Sequence, residues 1–206
     1  HLVDGTGCVV LKECRRAVCS RAWPDLRVFH SILRRDLPKR IGSWGMSTAR
    51  TIAAVTTSRA DWGHLAWPLR LLEDHGNVDL RLLVGGAHLE TRFGHTIDAI
   101  ESSGYEVAGQ IPFLSSEDSD SGMGEGIGRA VLGFTESLAQ LRPDLLLLIA
   151  DRFEMLAPAA AAMALRIPIA HIEGGEISEG AIDQQVRDAL TKMSHLHLVP
   201  TADAAK

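Results

Sequence analysis

An uninterrupted apolar run, DLLLLIAD at residues 144–151, constrains the fold of this chain more than any other segment. It has the length of a β-strand and carries no polar residue between its two aspartates. A strand without alternation of apolar and polar residues is covered on both faces, as in a parallel sheet flanked by helices. The run therefore predicts a central strand of an α/β domain.

Shorter apolar runs alternate with segments of helical periodicity around this strand. The other predicted strands are 51–57, 79–86, 167–172 and 196–200, with a weaker one in YEVAGQIPF at 105–113. The predicted helices are 64–76, 95–104, 123–141 and 153–166, and a further helix follows Asp183. This alternation predicts βαβ units with right-handed crossovers. The predicted fold class is therefore α/β, with a Rossmann-like doubly wound parallel sheet.

Residues 1–45 differ from the rest of the chain in charge, cysteine content and periodicity. They hold nine Lys or Arg against four Asp or Glu, and all three cysteines. A regular pattern begins only after Met46. We interpret 46–206 as the folded domain and 1–45 as a non-native or disordered basic extension, with Met46 as the true start. A genuine basic arm that contacts an acidic surface is the alternative.

The composition of the chain bounds the classes of function. The net charge is −5, and an acidic body argues against nucleic acid as a partner. The apolar runs are too short to cross a membrane, and three cysteines in one segment form no disulfide framework. We therefore expect a cytoplasmic protein without membrane contact.

Acidic side chains stand where the predicted strands end, which is where ligands bind in doubly wound sheets. Asp151 ends the central strand, Glu173 ends the next strand, and Asp183 begins the helix that follows. Three carboxylates that converge on one pocket suit proton transfer at carbon and the stabilisation of positive charge. For Asp151 a helix cap is the alternative.

Other candidate motifs are weaker when taken alone. Arg59 in TTSRADWG either contacts phosphate at a helix amino terminus or is a solvated arginine beside an Asp61 cap. The glycine-rich GMGEGIG at 122–128 follows a loop, so it receives little weight, and no dinucleotide or P-loop motif follows a strand. A histidine such as His88 is usually structural, and no spacing predicts a metal site.

Three segments, taken in order, resemble the hydrolysing UDP-N-acetylglucosamine 2-epimerases. They are TTSRADWG (56–63), GGAHLETRFGHTIDAIESSGYEV (85–107) and the whole of 141–201. The resemblance implies the first domain of a GT-B-type two-domain enzyme with its active site between the domains. It also implies that the second domain is absent here, so the 206-residue chain alone is expected to be inactive.

The reaction implied by the resemblance is the hydrolytic 2-epimerisation of a nucleotide sugar. UDP-N-acetylglucosamine and water would give N-acetylmannosamine and UDP by elimination through 2-acetamidoglucal, for sialic-acid-type sugar synthesis. No cofactor or metal is implied, and the complete enzyme is expected to form a dimer or tetramer. One alternative is a related diacetamido, legionaminic-type substrate. Another is a half-domain that binds a nucleotide sugar without catalysis.

The resemblance also implies roles for individual residues. The catalytic residues would be Asp151, Glu173 and Asp183, and the substrate-binding residues would be Arg59, His88, His171 and Glu176. Neutralising any one catalytic carboxylate is expected to leave folding nearly intact. Two positions depart from the family pattern and could alter the rate or the accepted sugar: Ala150 replaces a usual glycine, and Gln184 replaces a usual acid.

Overall fold

The computed structural model describes residues 8–10, 49–177 and 182–205. The described strands are β1 (Cys8–Val10), β2 (Arg50–Thr56), β3 (Val78–Gly85), β4 (Val107–Ile111), β5 (Leu145–Ile149), β6 (Ile169–Ile172) and β7 (Leu196–Val199). The described α-helices are α1 (Arg59–Glu73), α2 (Ile97–Ser102), α3 (Asp120–Leu141), α4 (Leu156–Leu165) and α5 (Asp183–Met193). Short 3₁₀ turns lie at Gly86–Leu89, Thr91–Phe93 and Phe153–Met155.

The strands form one parallel sheet in the order β1-β7-β6-β5-β2-β3-β4. From β2 onward this is the 3-2-1-4-5-6 order of doubly wound dinucleotide-binding folds. The predicted α/β class and doubly wound sheet are confirmed. The strand order reverses between β2 and β5, and their carboxyl ends open the crevice in which such sheets bind ligands.

The core is built around the apolar run from which the prediction began. All five residues of β5 are buried, and β5 lies between β2 and β6. Helix α3 packs against α4, and Phe134 of α3 meets Phe113 with ring centroids 6.4 Å apart. The burial of an entire strand confirms that helices cover both faces of the sheet.

Helix α1 begins at Arg59, earlier than the start predicted at residue 64. Ser58 caps it, because its hydroxyl accepts a hydrogen bond from the Asp61 amide at 3.4 Å. The Asp61 carboxylate in turn accepts from the backbone amide and hydroxyl of Thr57 at 3.0 and 2.7 Å. The bond to Ser58 satisfies an amide that the helix leaves unpaired, and the bonds from Thr57 tie Asp61 to the residue before the cap. Asp61 therefore serves to start the helix.

Three residues of the basic extension are described, and they form an edge strand. Cys8–Val10 pair in parallel with β7, with Cys8 opposite His197. The aperiodic sequence did not predict this strand. The remaining residues of the 1–45 extension lie outside the described part of the chain, so its non-native origin stays a prediction. No helix within the described ranges is long and apolar enough to span a membrane.

Candidate active site

A cavity of about 470 Å³ opens at the carboxyl ends of β2, β5 and β6. Its lining comes from Ala60, Asp61 and His64 of α1, residues 150–153 after β5, Glu173 after β6, and Asp183 and Arg187 of α5. We call it the acidic cavity. The structure thus brings the three predicted catalytic carboxylates to one site, at the point where the strand order reverses.

Arg187 holds two of the strand ends together. Its side chain is only 10% exposed, and one terminal nitrogen forms an ion pair with Oδ2 of Asp151. The other terminal nitrogen donates to the backbone oxygen of Glu173 at 2.6 Å. One guanidinium therefore ties the end of β5 to the end of β6 and offsets part of the repulsion between the crowded acids.

Sequence reasoning missed Arg187, although a signal was present. Arg187 follows Asp183 by four residues, and residues with that spacing share one face of a helix. Since Asp183 was predicted to face the pocket, Arg187 could have been predicted to face it too. Val186 and Leu190 are buried with it, which places this turn of α5 against the sheet.

Glu173 pairs with a second residue that the sequence analysis did not single out. Its Oε1 lies 2.7 Å from Nδ1 of His64 in α1. The backbone of Glu173 is left-handed, with φ of 65°, and its amide donates to Leu198 at 2.9 Å. A left-handed glutamate is held only where its surroundings determine it. Here the bonds from Arg187 and to β7 do so, and they direct the carboxylate toward α1.

The double glycine that follows Glu173 has a structural reason. Gly175 has φ of 77°, and a Cβ on it would lie 2.1 Å from the backbone oxygen of Ala204. Only glycine fits so close to another backbone. Glu176, a predicted substrate contact, is exposed and does not line the acidic cavity. Glu179, a further acid of the same segment, lies outside the described residues.

Arg59 lines a second cavity of about 650 Å³ that adjoins the first. The two cavities share Ala60, Arg152 and Phe153. Arg59 is exposed, and within the described ranges it makes no ion pair. Its side chain is thus available for an anion, and phosphate contact remains a proposal.

The glycine-rich segment 122–128 lies within α3 and serves close packing. A Cβ on Gly122 would lie 2.4 Å from the backbone oxygen of Glu117, and one on Gly126 would lie 3.3 Å from that of Phe113. Both glycines also line the second cavity. They let the loop before α3 fold back onto the helix, which explains their spacing of four residues.

His88 and His171, both predicted substrate contacts, are fully buried. Nε2 of His88 lies 2.9 Å from the Thr56 hydroxyl, and its Nδ1 lies 2.6 Å from the Thr96 hydroxyl. Burial lowers the pKa of His88, which favours the neutral ring. Neither histidine lines either cavity. Among the described side chains, no group of three or more His, Cys, Asp or Glu could hold a metal ion.

Ala150, which replaces the glycine usual in the family that the sequence resembles, is also left-handed. Its φ is 64°, a conformation that costs an L-residue about 1–2 kcal/mol. Its amide donates to Ile172 at 3.0 Å. The usual glycine at this position is therefore explained by backbone geometry, and alanine adopts the same geometry under strain.

Replacing Ala150 by glycine is expected to raise the free energy of unfolding by about 0.5–1 kcal/mol, because relief of strain exceeds the added backbone entropy. Urea unfolding measures the change. Ala160→Gly, within the right-handed helix α4, is the matched control and should lower stability by about 1 kcal/mol. Equal losses from both substitutions would contradict a strained Ala150.

Comparison with known proteins places the chain in a family. Residues 70–206 match the family model described as UDP-N-acetylglucosamine 2-epimerase. A UDP-N,N'-diacetylbacillosamine 2-epimerase (hydrolyzing) from Legionella pneumophila is 41% identical over 152 residues, which cover 74% of this chain and 40% of that protein. A UDP-N-acetylglucosamine 2-epimerase from Neisseria meningitidis is 31% identical over 155 residues, or 75% and 40%.

Solved structures share the fold. The UDP-GlcNAc 2-epimerase from Neisseria meningitidis bound to UDP-GlcNAc aligns with a TM-score of 0.65 and 19% identity, over 75% of this chain and 41% of that one. The enzyme from Methanocaldococcus jannaschii aligns with a TM-score of 0.61 and 21% identity, over 75% and 40%. The chain spans about 40% of the length of its relatives, as expected for the first domain of a GT-B-like protein. It belongs to the UDP-N-acetylglucosamine 2-epimerase family.

Proposed function

We propose that the full-length protein is a hydrolysing 2-epimerase that converts a UDP-linked 2-acetamido sugar and water into the free 2-epimeric sugar and UDP. The observation that carries this proposal is that Asp151, Glu173 and Asp183 all line the acidic cavity, where the strand order reverses. Relatives whose names include the hydrolytic reaction support it. A second domain would close the crevice from the other side, and the enzyme would work as a cytoplasmic homo-oligomer.

The reaction needs a proton to leave and return at the same carbon. A base removes the proton from C2, the C1–O bond breaks with UDP as leaving group, and a C1=C2 double bond forms. Water then adds across that bond, with the hydroxyl on C1 and a proton on C2. Inversion at C2 requires the new proton to arrive from the opposite face, so two separate acid–base groups are needed.

The carboxylates can divide these roles. We assign proton transfer to Asp151, which extends β5, and to Asp183, which opens α5, because they enter the cavity from different elements. We assign to Glu173 the stabilisation of positive charge as the anomeric bond breaks. Arg59 at the adjoining cavity is the proposed diphosphate contact, since a free guanidinium at a helix start suits that anion.

Two sugars fit this proposal. UDP-N-acetylglucosamine, the sugar nucleotide in the name of the relative from Neisseria meningitidis, would lead to N-acetylmannosamine and sialic-acid-type synthesis. UDP-N,N'-diacetylbacillosamine, a diacetamido sugar that would lead to a legionaminic-type acid, is favoured by one observation. The relative from Legionella pneumophila named for it shows 41% identity, against 31% for the relative from Neisseria meningitidis.

Incubating the full-length protein with each UDP sugar is expected to release UDP and a free 2-epimerised sugar from at least one of them. NMR of the product mixture identifies both products. The 206-residue chain alone is the control and should release neither, because losing substrate alignment by a second domain can cost about 7–11 kcal/mol of barrier lowering. Accumulation of a UDP-linked 2-epimer would contradict the hydrolytic proposal.

A further inference from the structure

His171 contacts the backbone immediately before Asp151 rather than the cavity. It lies in β6 with no exposed surface, and its Nε2 is 2.8 Å from the carbonyl oxygen of Ala150. A carbonyl oxygen only accepts hydrogen bonds, so Nε2 carries the ring proton. Burial lowers the pKa of His171 to about 4, although the bond to Ala150 opposes that shift. The ring is therefore neutral at physiological pH.

The backbone of Ala150 is held by β6 through both its amide and its carbonyl group. Its amide donates to Ile172 at 3.0 Å, and its carbonyl accepts from His171. Because φ of Ala150 is 64°, the residue would relax toward a right-handed or extended conformation if one of these bonds were lost. Such a relaxation would turn Asp151 away from Arg187.

The other ring nitrogen is packed against the glycine after Glu173. Nδ1 of His171 is buried and makes no hydrogen bond to any described residue, and the same holds for the Thr191 hydroxyl. A Cβ on Gly174 would lie 2.9 Å from that nitrogen and 3.1 Å from the Thr191 oxygen. Gly174 therefore leaves the imidazole the space that it needs to reach Ala150.

We propose that His171 is a positioning residue, which locks the strained Ala150 peptide through its Nε2–H and thereby aims the Asp151 carboxylate into the acidic cavity. Gly174 is part of this device, since any side chain there would displace the ring. The consequence for turnover rests on the proposed function. The consequences for the backbone and the ring tautomer do not.

The turnover test uses His171→Leu in the full-length protein. A misplaced carboxylate should lower kcat by about 10–100-fold, with KM changed by less than a factor of about three because the substrate contacts remain. His171→Gln keeps an amide donor and should retain at least about tenfold more kcat than His171→Leu. The control is His197→Leu, which replaces the neighbouring histidine across from His171 in β7 and should leave kcat within a factor of about three.

A double-variant cycle separates positioning from packing. Glycine adopts the left-handed conformation without strain. The double variant His171→Leu, Ala150→Gly should therefore have a kcat at least about tenfold higher than that of His171→Leu alone. Ala150→Gly should also reduce the loss of stability caused by His171→Leu. Strictly additive effects on kcat and on unfolding would overturn the proposal, as would an unchanged kcat in His171→Leu.

Nitrogen-15 NMR of the histidine rings provides a test that needs no activity. His171 should show the neutral tautomer protonated at Nε2 at pH 6, where an exposed histidine is largely charged. A charged ring at pH 6, or a proton on Nδ1, would overturn the proposal even if the variants fail to fold. If neither UDP sugar is turned over, the proposed function fails, while the tautomer and the stability cycle still decide the role of His171.

Discussion

Replacing Asp151 by asparagine in the full-length protein is expected to reduce turnover by about 10²–10⁴-fold, the contribution of a well-placed acid or base. The same substitution should also lower the free energy of unfolding by about 3 kcal/mol, because it removes the carboxylate that pairs with the largely buried guanidinium of Arg187. Sequence reasoning alone predicted nearly intact folding. The Arg187 contact, with a side chain only 10% exposed, changes that expectation.

The loss of turnover and the loss of stability can be separated with a second substitution. Asp151→Asn combined with Arg187→Met removes both charges of the ion pair and should regain about half or more of the lost stability, while turnover stays low. Asp188→Asn is the control, since Asp188 is an exposed acid on the same helix that pairs with Gln184. If Asp151→Asn lowers stability and preserves turnover, Asp151 is structural and the catalytic assignment fails at that residue.

Replacing Asp183 by asparagine is expected to reduce turnover by a similar factor, about 10²–10⁴, with a much smaller effect on stability. Asp183 is half-buried in the first turn of α5. A charge at that position stabilises a helix by about 0.3–1 kcal/mol. We therefore expect Asp151→Asn and Asp183→Asn to lower turnover by a similar factor, and Asp151→Asn to lower the free energy of unfolding by much more.

Turnover and urea unfolding of Asp183→Asn should be measured beside Asp151→Asn. Asp98→Asn is the matched control, because Asp98 also lies in the first turn of a helix, α2, and lines neither cavity. It should lose a similar small amount of stability and no turnover. Full turnover in Asp183→Asn would remove Asp183 from the proton-transfer assignment.

The fold could be predicted from the sequence because it depends on patterns of burial, and the order of apolar and polar residues along the chain shows these patterns directly. The unbroken run 144–151 required a strand covered on both faces, and β5 is that strand. The start of α1 was missed because it depends on local bonds of Ser58 and Asp61 rather than on apolar spacing. The edge strand at Cys8–Val10 was missed because three residues are too few to show a periodic pattern of apolar and polar residues.

The candidate site was predictable only in part. The convergence of Asp151, Glu173 and Asp183 follows from strand ends in a parallel sheet, which the alternation of elements predicts. The link through Arg187 depends on how α5 packs, and the left-handed Ala150 depends on bonds from β6. His88 and His171 were assigned by resemblance, and burial places both of them away from either cavity.

The measurement that tests the central claim most directly is the reaction of the full-length protein in D₂O, followed by NMR and mass spectrometry. If carboxylates at the acidic cavity remove and return the C2 proton through an eliminated intermediate, the free 2-epimer should carry one deuterium at C2 beside released UDP. A free 2-epimer that keeps its original C2 hydrogen, or a product still joined to UDP, would contradict the account.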